Sequence, residues 1–247
     1  MALLELEDVT RTFGGVVALD RVSLTVGEGE IVGLIGPNGA GKTTAFNVVT
    51  RLYAPDAGRL AFADEDLLRL PAHAIVRRGI ARTFQNLALF QHMTVLENVL
   101  VGAHTRIGRR GERAAREEAV RALEYLDLGS LARRPAAGLP FGTLKRVEVA
   151  RALVSRPRLL LLDEPAGGLN HEEVEALAGL ITRMRDDYEL TVVLVEHHMN
   201  LVMRVSERVH VLNFGRKIAE GTPGEVRANA AVVEAYLGTG DDDDGAA

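Results

Sequence analysis

Eight consecutive residues, Gly36-Pro37-Asn38-Gly39-Ala40-Gly41-Lys42-Thr43, match the spacing G-x-x-x-x-G-K-[ST], with Thr44 next in line. Glycines at these positions let successive backbone N–H groups turn inward onto phosphate oxygens, and the start of a following helix adds its positive end. In such a loop Lys42 reaches the β- and γ-phosphates and the Thr43 hydroxyl serves Mg²⁺. A glycine-rich turn with an incidental lysine is the bland alternative. The apolar run Ile31–Ile35 just before the loop and the helical pattern of Thr43–Arg51 just after it argue against that. The pattern implies a nucleoside-triphosphate site.

The stretch Leu159-Leu-Leu-Leu-Asp163-Glu164-Pro165 supplies a second chemistry. A fully apolar strand delivers two adjacent carboxylates at its carboxyl end, where ligands gather in parallel sheets. Asp163 suits the ligand set of Mg²⁺ or the hydrogen-bonding groups around it, and Glu164 suits polarisation of an attacking water. These two elements alone fit motors, kinases, GTPases and transporters.

The elements that must position these groups are strands and helices in alternation. Partial alternation over Leu3–Val9 and Val22–Val26, with breaks at Gly14-Gly15 and Gly27–Glu30, reads as N-terminal strands. Arg59–Ala63 is a further strand. Helical spacing covers Thr94–Val101, about Glu112 to Leu128, and Thr143–Ser155. The strand Leu159–Leu162, the helix Glu172–Asp187 and the strand Thr191–Val195 follow. Val209–Asn213 and Lys217–Glu220 are shorter strands, and a last helix ends near Leu237. Such alternation implies an α/β fold with a mainly parallel core sheet, an N-terminal antiparallel β region and a helical insert. The expected partition is a core of residues 1–84 and 157–238, a helical subdomain of 85–156, and an acidic disordered tail at 239–247.

Composition narrows the classes. The 247 residues carry 29 Lys plus Arg against 34 Asp plus Glu, a net charge of −5. The run Asp241–Asp244 accounts for four of those charges, so the body is nearly neutral and lacks the overall basic field of a nucleic-acid binder. The absence of cysteine excludes disulfides, thiolate metal sites and cysteine nucleophiles. The first residues lack the basic region and apolar core of a secretory signal, and no apolar run approaches the roughly 20 residues needed to cross a bilayer. The expectation is a chain that stays where it is made and meets a membrane only as a peripheral partner. Arg106, Arg109, Arg110, Arg113 and Arg116 form a basic stretch that reads first as a solvated helix face.

Three more pieces complete an ordered set: Arg82-Thr-Phe-Gln85, Leu139-Pro-Phe-Gly-Thr-Leu-Lys-Arg-Val-Glu-Val-Ala-Arg-Ala-Leu153, and Val195-Glu-His197. In order and spacing the chain, over about residues 3–238, resembles the ATP-binding cassette (ABC) ATPases of the P-loop NTPase class. The resemblance implies ATP and Mg²⁺ as ligands and assigns roles by position. Phe13 stands where the family stacks an aromatic on adenine, although alone it reads more readily as core. Gln85 matches the glutamine that approaches Mg²⁺ and the lytic water and couples to a membrane partner. His197 matches the switch histidine that contacts the γ-phosphate. His198, often acidic in the family, is given no role.

The signature loop departs from the usual Leu-Ser-Gly-Gly-Gln, reading Leu139-Pro140-Phe141-Gly142-Thr143. In the family this loop caps the γ-phosphate held by the other subunit of a head-to-tail pair. Pro140 removes a hydroxyl and a backbone donor there, which weakens the expected capping. The dimer-contact turn also departs, with Ala166-Gly-Gly168-Leu169-Asn170 in place of the commoner Ser-Ala-Leu-Asp.

The Ala166–Asn170 variant, with Arg82-Thr-Phe-Gln-Asn86, Leu89-Phe-Gln-His-Met-Thr-Val-Leu-Glu-Asn98, Glu220-Gly-Thr-Pro-Gly-Glu225 and Ala235-Tyr-Leu-Gly238, is most similar to the ATPases of branched-chain amino-acid importers. That resemblance implies two permease subunits, a second ABC ATPase subunit, an extracytoplasmic solute-binding protein reached indirectly, no nucleic acid, and a place on the cytoplasmic face of the plasma (inner) membrane. An exporter ATPase of the lipid type and a soluble non-transport ABC ATPase remain the alternatives. A GTPase is disfavoured because no Asn-Lys-x-Asp motif is present.

Overall fold

The computed structural model describes residues 2–237, the side chains of 107–110 and 237 excepted. Two long strands, β1 (Ala2–Phe13) and β2 (Val16–Gly27), form a hairpin and lead to β3 (Ile31–Ile35) and α1 (Lys42–Val49). Next come β4 (Ala57–Phe62), β5 (Glu65–Asp66), the short α2 (Ala72–Ile75) and β6 (Ile80–Arg82). The helices α3 (Val95–Tyr125) and α4 (Phe141–Val154) precede β7 (Leu159–Asp163), α5 (His171–Asp187) and β8 (Thr191–Val195). The chain continues through α6 (Met199–Val205), β9 (Arg208–Asn213), β10 (Arg216–Gly221), α7 (Pro223–Ala228) and α8 (Ala230–Leu237). The acidic tail expected at 239–247 lies outside the described residues.

Contacts divide the chain into two compact units, Met1–Arg69 with Val193–Ala247, and Leu70–Val192. In the first unit an antiparallel sheet runs in the order β2-β1-β4-β5, and β3 pairs in parallel with β9, whose other neighbour β10 is antiparallel. In the second unit β6 and β7 pair in parallel. The α/β cassette fold expected from the sequence is the one observed. All five residues of β3, and all five of β7, are buried, as the apolar runs Ile31–Ile35 and Leu159–Leu162 require, with the carboxylate Asp163 buried at the end of β7.

The N-terminal hairpin is longer than its alternation suggested, because irregularities interrupt the period of two. Register shifts fall between Leu6 and Val9 and again between Val9 and Arg11. Asp8 and Arg21 take left-handed φ of 47° and 50°. The Ser23 hydroxyl holds the first break by accepting the Asp8 N–H at 2.8 Å. The strand β6 has only three residues and carries no periodic signal of its own.

The two helical stretches expected around residues 94–128 run together as α3, with a non-helical break at Gly111 (φ 78°, ψ 157°). The helix α4 begins at Phe141, two residues before the expected start, with Pro140 as its N-cap. The expected C-terminal helix is two, α7 and α8. Three helices open with a capping box. Thr94 pairs with Glu97 before α3, Asn170 with Glu173 before α5, and Thr222 with Glu225 before α7.

Within the second unit α3 and α4 touch at Gly102. A Cβ on Gly102 would lie 1.9 Å from the Arg151 carbonyl oxygen, so only glycine fits. Gly102→Ala is expected to cost about 1–3 kcal/mol by overpacking. That would lower the thermal midpoint on the order of 2–4 °C per kcal/mol. A calorimetric scan superimposable on that of the parent chain would show that the helices do not need this contact.

Candidate nucleotide site

In the first unit the buried β3 runs straight into the phosphate loop. Gly36, Gly39 and Gly41 have φ of 151°, 76° and 104°, and Gly41 is the N-cap of α1. A Cβ on Gly36 would sit 2.1 Å from the Leu212 carbonyl oxygen, and one on Gly41 2.5 Å from that of Ala18. Glycine is therefore dictated by both space and backbone conformation. Lys42 is buried, and its ammonium donates to the carbonyls of Gly36 at 2.6 Å and Pro37 at 3.0 Å. Asn38, Gly39 and Thr43 are exposed, Thr44 is half-buried, and Pro37 and Ala40 are buried.

The Phe13 ring is 37% exposed and meets Tyr53 edge-on, with centroids 5.0 Å apart. The Arg11 guanidinium lies 4.6 Å from the Phe13 centroid and is itself fixed by Asp56 at 2.9 Å. Hydrogen bonds from Thr12, and the Arg11 charge, hold the Asp56 carboxyl below its usual range. Phe13 is thus a surface aromatic and not a core residue. His197 is also exposed, and its backbone N–H donates to the buried Glu196 carboxylate at 3.0 Å.

In the second unit Asp163 closes β7 and Glu164 follows it with φ 47°. The left-handed turn sends the two carboxylates different ways. Asp163 is buried, and its Oδ2 accepts from Arg82 at 2.6 Å. Its Oδ1 is buried with no hydrogen-bond partner among the described residues. Glu164 Oε2 instead accepts from Gln85 Nε2 at 2.7 Å. The structure thus brings Gln85 and Glu164 together.

The Gln85 segment is strapped by side chains whose part in it no sequence motif marks. Lys145 on α4 donates to the Gln85 carbonyl at 3.0 Å, and Glu148 accepts the Phe84 N–H at 3.1 Å. Arg151 donates to the Ala88 carbonyl at 2.6 Å, and the buried Asn98 on α3 exchanges hydrogen bonds with the Phe90 backbone at 2.9 and 3.0 Å. Burial pushes the Glu148 carboxyl up, against the pull of the Phe84 N–H, Lys145 and Arg151. The available signal was a set of charged residues embedded in the apolar spacing of α4.

The segments Leu139–Thr143 and Ala166–Asn170 lie against each other in this unit. A Cβ on Gly168 would be 3.2 Å from the Phe141 ring, and one on Gly142 would be 3.3 Å from Leu169. Leu139 and Thr143 are buried, Pro140 and Phe141 are exposed, and Gly142 is half-buried. Because α4 starts at Phe141, the N–H groups of the first turn are those of Phe141, Gly142 and Thr143. Asn170 spends its side chain on the Glu173 N–H at 3.0 Å.

A family model described as "ABC transporter" matches residues 19–167, from the hairpin through the Asp163–Glu164 turn. The chain belongs to the ABC transporter family. It is a nucleotide-binding ATPase cassette. A second model, "Branched-chain amino acid ATP-binding cassette transporter", matches residues 216–242.

The cassette is 44% identical to the high-affinity branched-chain amino acid transport ATP-binding protein BraF of Pseudomonas aeruginosa, over 96% of this chain and 98% of that one. It is 42% identical to LivG of Escherichia coli, a protein of the same description, with the same coverage. The lipopolysaccharide export system ATP-binding protein LptB of Escherichia coli is 36% identical, again over 96% and 98%. Among solved structures, the ADP conformation of an ATP-binding cassette of an ABC transporter superposes with a TM-score of 0.88 at 32% identity, covering 96% of this chain and 99% of that one.

Proposed function

We propose that the cassette is the ATP-hydrolysing subunit of an importer for branched-chain or related amino acids, and that it works through partner permeases. The observation that carries this reading is the match of residues 216–242 to the branched-chain model, joined to 44% identity with BraF over nearly the whole of both chains. The exporter alternative is supported only by the lower identity to LptB. No helix among the described residues is long and apolar enough to cross a membrane.

In this reading Phe13 stacks on adenine, and the exposed Phe13–Tyr53 pair supplies the flat apolar surface. Residues 36–44 hold the phosphates, and Lys42 exchanges its two loop carbonyls for β- and γ-phosphate oxygens. The residues fit Mg²⁺: the buried, unpartnered Asp163 Oδ1 is a hard oxygen donor that a dication satisfies, and Thr43 and Gln85 add two more. When bound, the ion would offset phosphate charge. Glu164 takes the proton of the attacking water that Gln85 helps to orient, and His197 contacts the γ-phosphate.

Leu139–Thr143 meet the nucleotide of a second cassette, and Gly168, Leu169 and Asn170 meet that cassette itself. Each γ-phosphate then bridges two subunits, so ATP favours the closed pair and hydrolysis releases it. Residues 85–156 act as the helical subdomain that docks on a permease, with 1–84 and 157–238 as the core. The pair would sit on the cytoplasmic face of the membrane.

Affinity purification of the tagged chain from gently solubilised native membranes tests this directly. Two permeases, a second cassette and a branched-chain-type binding protein are expected to come with it. A wholly soluble complex would leave the ATPase intact and refute the transport reading.

A further inference from the structure

The pair His197–His198 has chemistry that ATP hydrolysis does not use. The two imidazole rings are near-stacked, with centroids 4.6 Å apart and planes 33° from parallel. Beneath them Glu196 is fully buried, and its Oε2 lies 3.8 Å from His197 Nδ1. That carboxylate accepts the backbone N–H groups of both histidines, at 3.0 and 3.2 Å, which folds the chain so that consecutive side chains converge. One donor atom from each of the three residues lies within 4.8 Å of the other two.

We propose that Glu196, His197 and His198 bind a borderline transition-metal dication, foremost Zn²⁺, and that the bound metal silences the ATPase by engaging His197. Two neutral imidazoles and one carboxylate are a donor set suited to Zn²⁺, whereas Mg²⁺ prefers oxygen ligands and takes several waters. Ligand atoms around a tetrahedral ion with bonds of about 2.0–2.1 Å stand roughly 3.4 Å apart. The present separations close to that value by rotation of the two rings, both of which reach solvent. The fourth position stays open to water. His198 decides the site: without it, one imidazole and a buried carboxylate make a poor chelate.

The silencing half rests on the reading of His197 as the γ-phosphate contact, while the binding half does not. Cobalt(II) titrated into the full-length, nucleotide-free chain is expected to give a saturable visible absorption at one equivalent, displaced by Zn²⁺. His198→Ala and His198→Gln, changes at the surface, should each weaken that binding at least about tenfold, since even an outer-shell loss costs about 10–100-fold. Unchanged affinity in both variants overturns the site. With saturating Mg·ATP, low micromolar Zn²⁺ should inhibit the parent chain and spare His198→Gln, whose basal turnover stays normal. Equal inhibition of both chains means that Zn²⁺ acts elsewhere and overturns the silencing. Cobalt binding that requires His198, with no loss of turnover when Zn²⁺ fills the site, retains the site and removes His197 from the mechanism.

Discussion

Glu164→Gln is expected to lower ATP turnover by about two to four orders of magnitude, the span that a positioned general base contributes. The substitution keeps the length of the side chain and an oxygen that can still accept from Gln85 Nε2, a contact of 2.7 Å in the parent chain. What it loses is the ability to take a proton. Nucleotide affinity should therefore hold while the chemical step fails, and the paired cassettes should accumulate closed around ATP. Single-turnover hydrolysis and equilibrium ATP binding, measured on the same preparation, separate these effects. Turnover near that of the parent would assign the base elsewhere, whereas joint loss of binding and turnover would indicate damage to the β7 turn.

Lys42→Ala has the second large expected effect, and it acts on binding. The ammonium is buried and spans the two carbonyls of Gly36 and Pro37. Two charge-assisted hydrogen bonds to phosphate, at about 1.5–3 kcal/mol each, correspond to a loss of at least about 100-fold in ATP affinity. Part of that loss is offset, because the parent chain gives up the Lys42 bonds to the two loop carbonyls on binding and the variant has none to give up. Lys42→Arg distinguishes the contributions, because it restores charge but not the compact ammonium that fits between the carbonyls. ATP affinity equal to that of the parent in Lys42→Ala would contradict the role given to this loop.

The parts of the site whose chemistry constrains residue type were legible in the sequence. Only glycine fits at Gly36 and Gly41, where a Cβ would strike a carbonyl, and only an unbroken apolar run builds strands as buried as β3 and β7. Those constraints write themselves into composition. The straps around Gln85 did not, because Lys145, Glu148, Arg151 and Asn98 act through backbone carbonyls and N–H groups up to 64 positions away, and a backbone partner leaves no trace in side-chain type. Arg82 opens the Arg82-Thr-Phe-Gln85 motif, yet its ion pair with Asp163 joins residues 81 positions apart. In the hairpin, bulges at Asp8 and near Arg21 broke the alternation that would have revealed its full length.

The reciprocal caps at Thr94 and Asn170 have a mechanical consequence. Each stands where a segment of the site passes into a helix: the stretch after Gln85 ends at α3, and the turn after Glu164 ends at α5. Because cap and third residue satisfy one another, the first turn of each helix does not depend on the shape of what precedes it. A rearrangement in either segment therefore reaches the helix whole and is not absorbed by fraying. The 17-residue α5, unbroken to Asp187, is built to carry a small shift at the carboxylate turn to its far end with little slack.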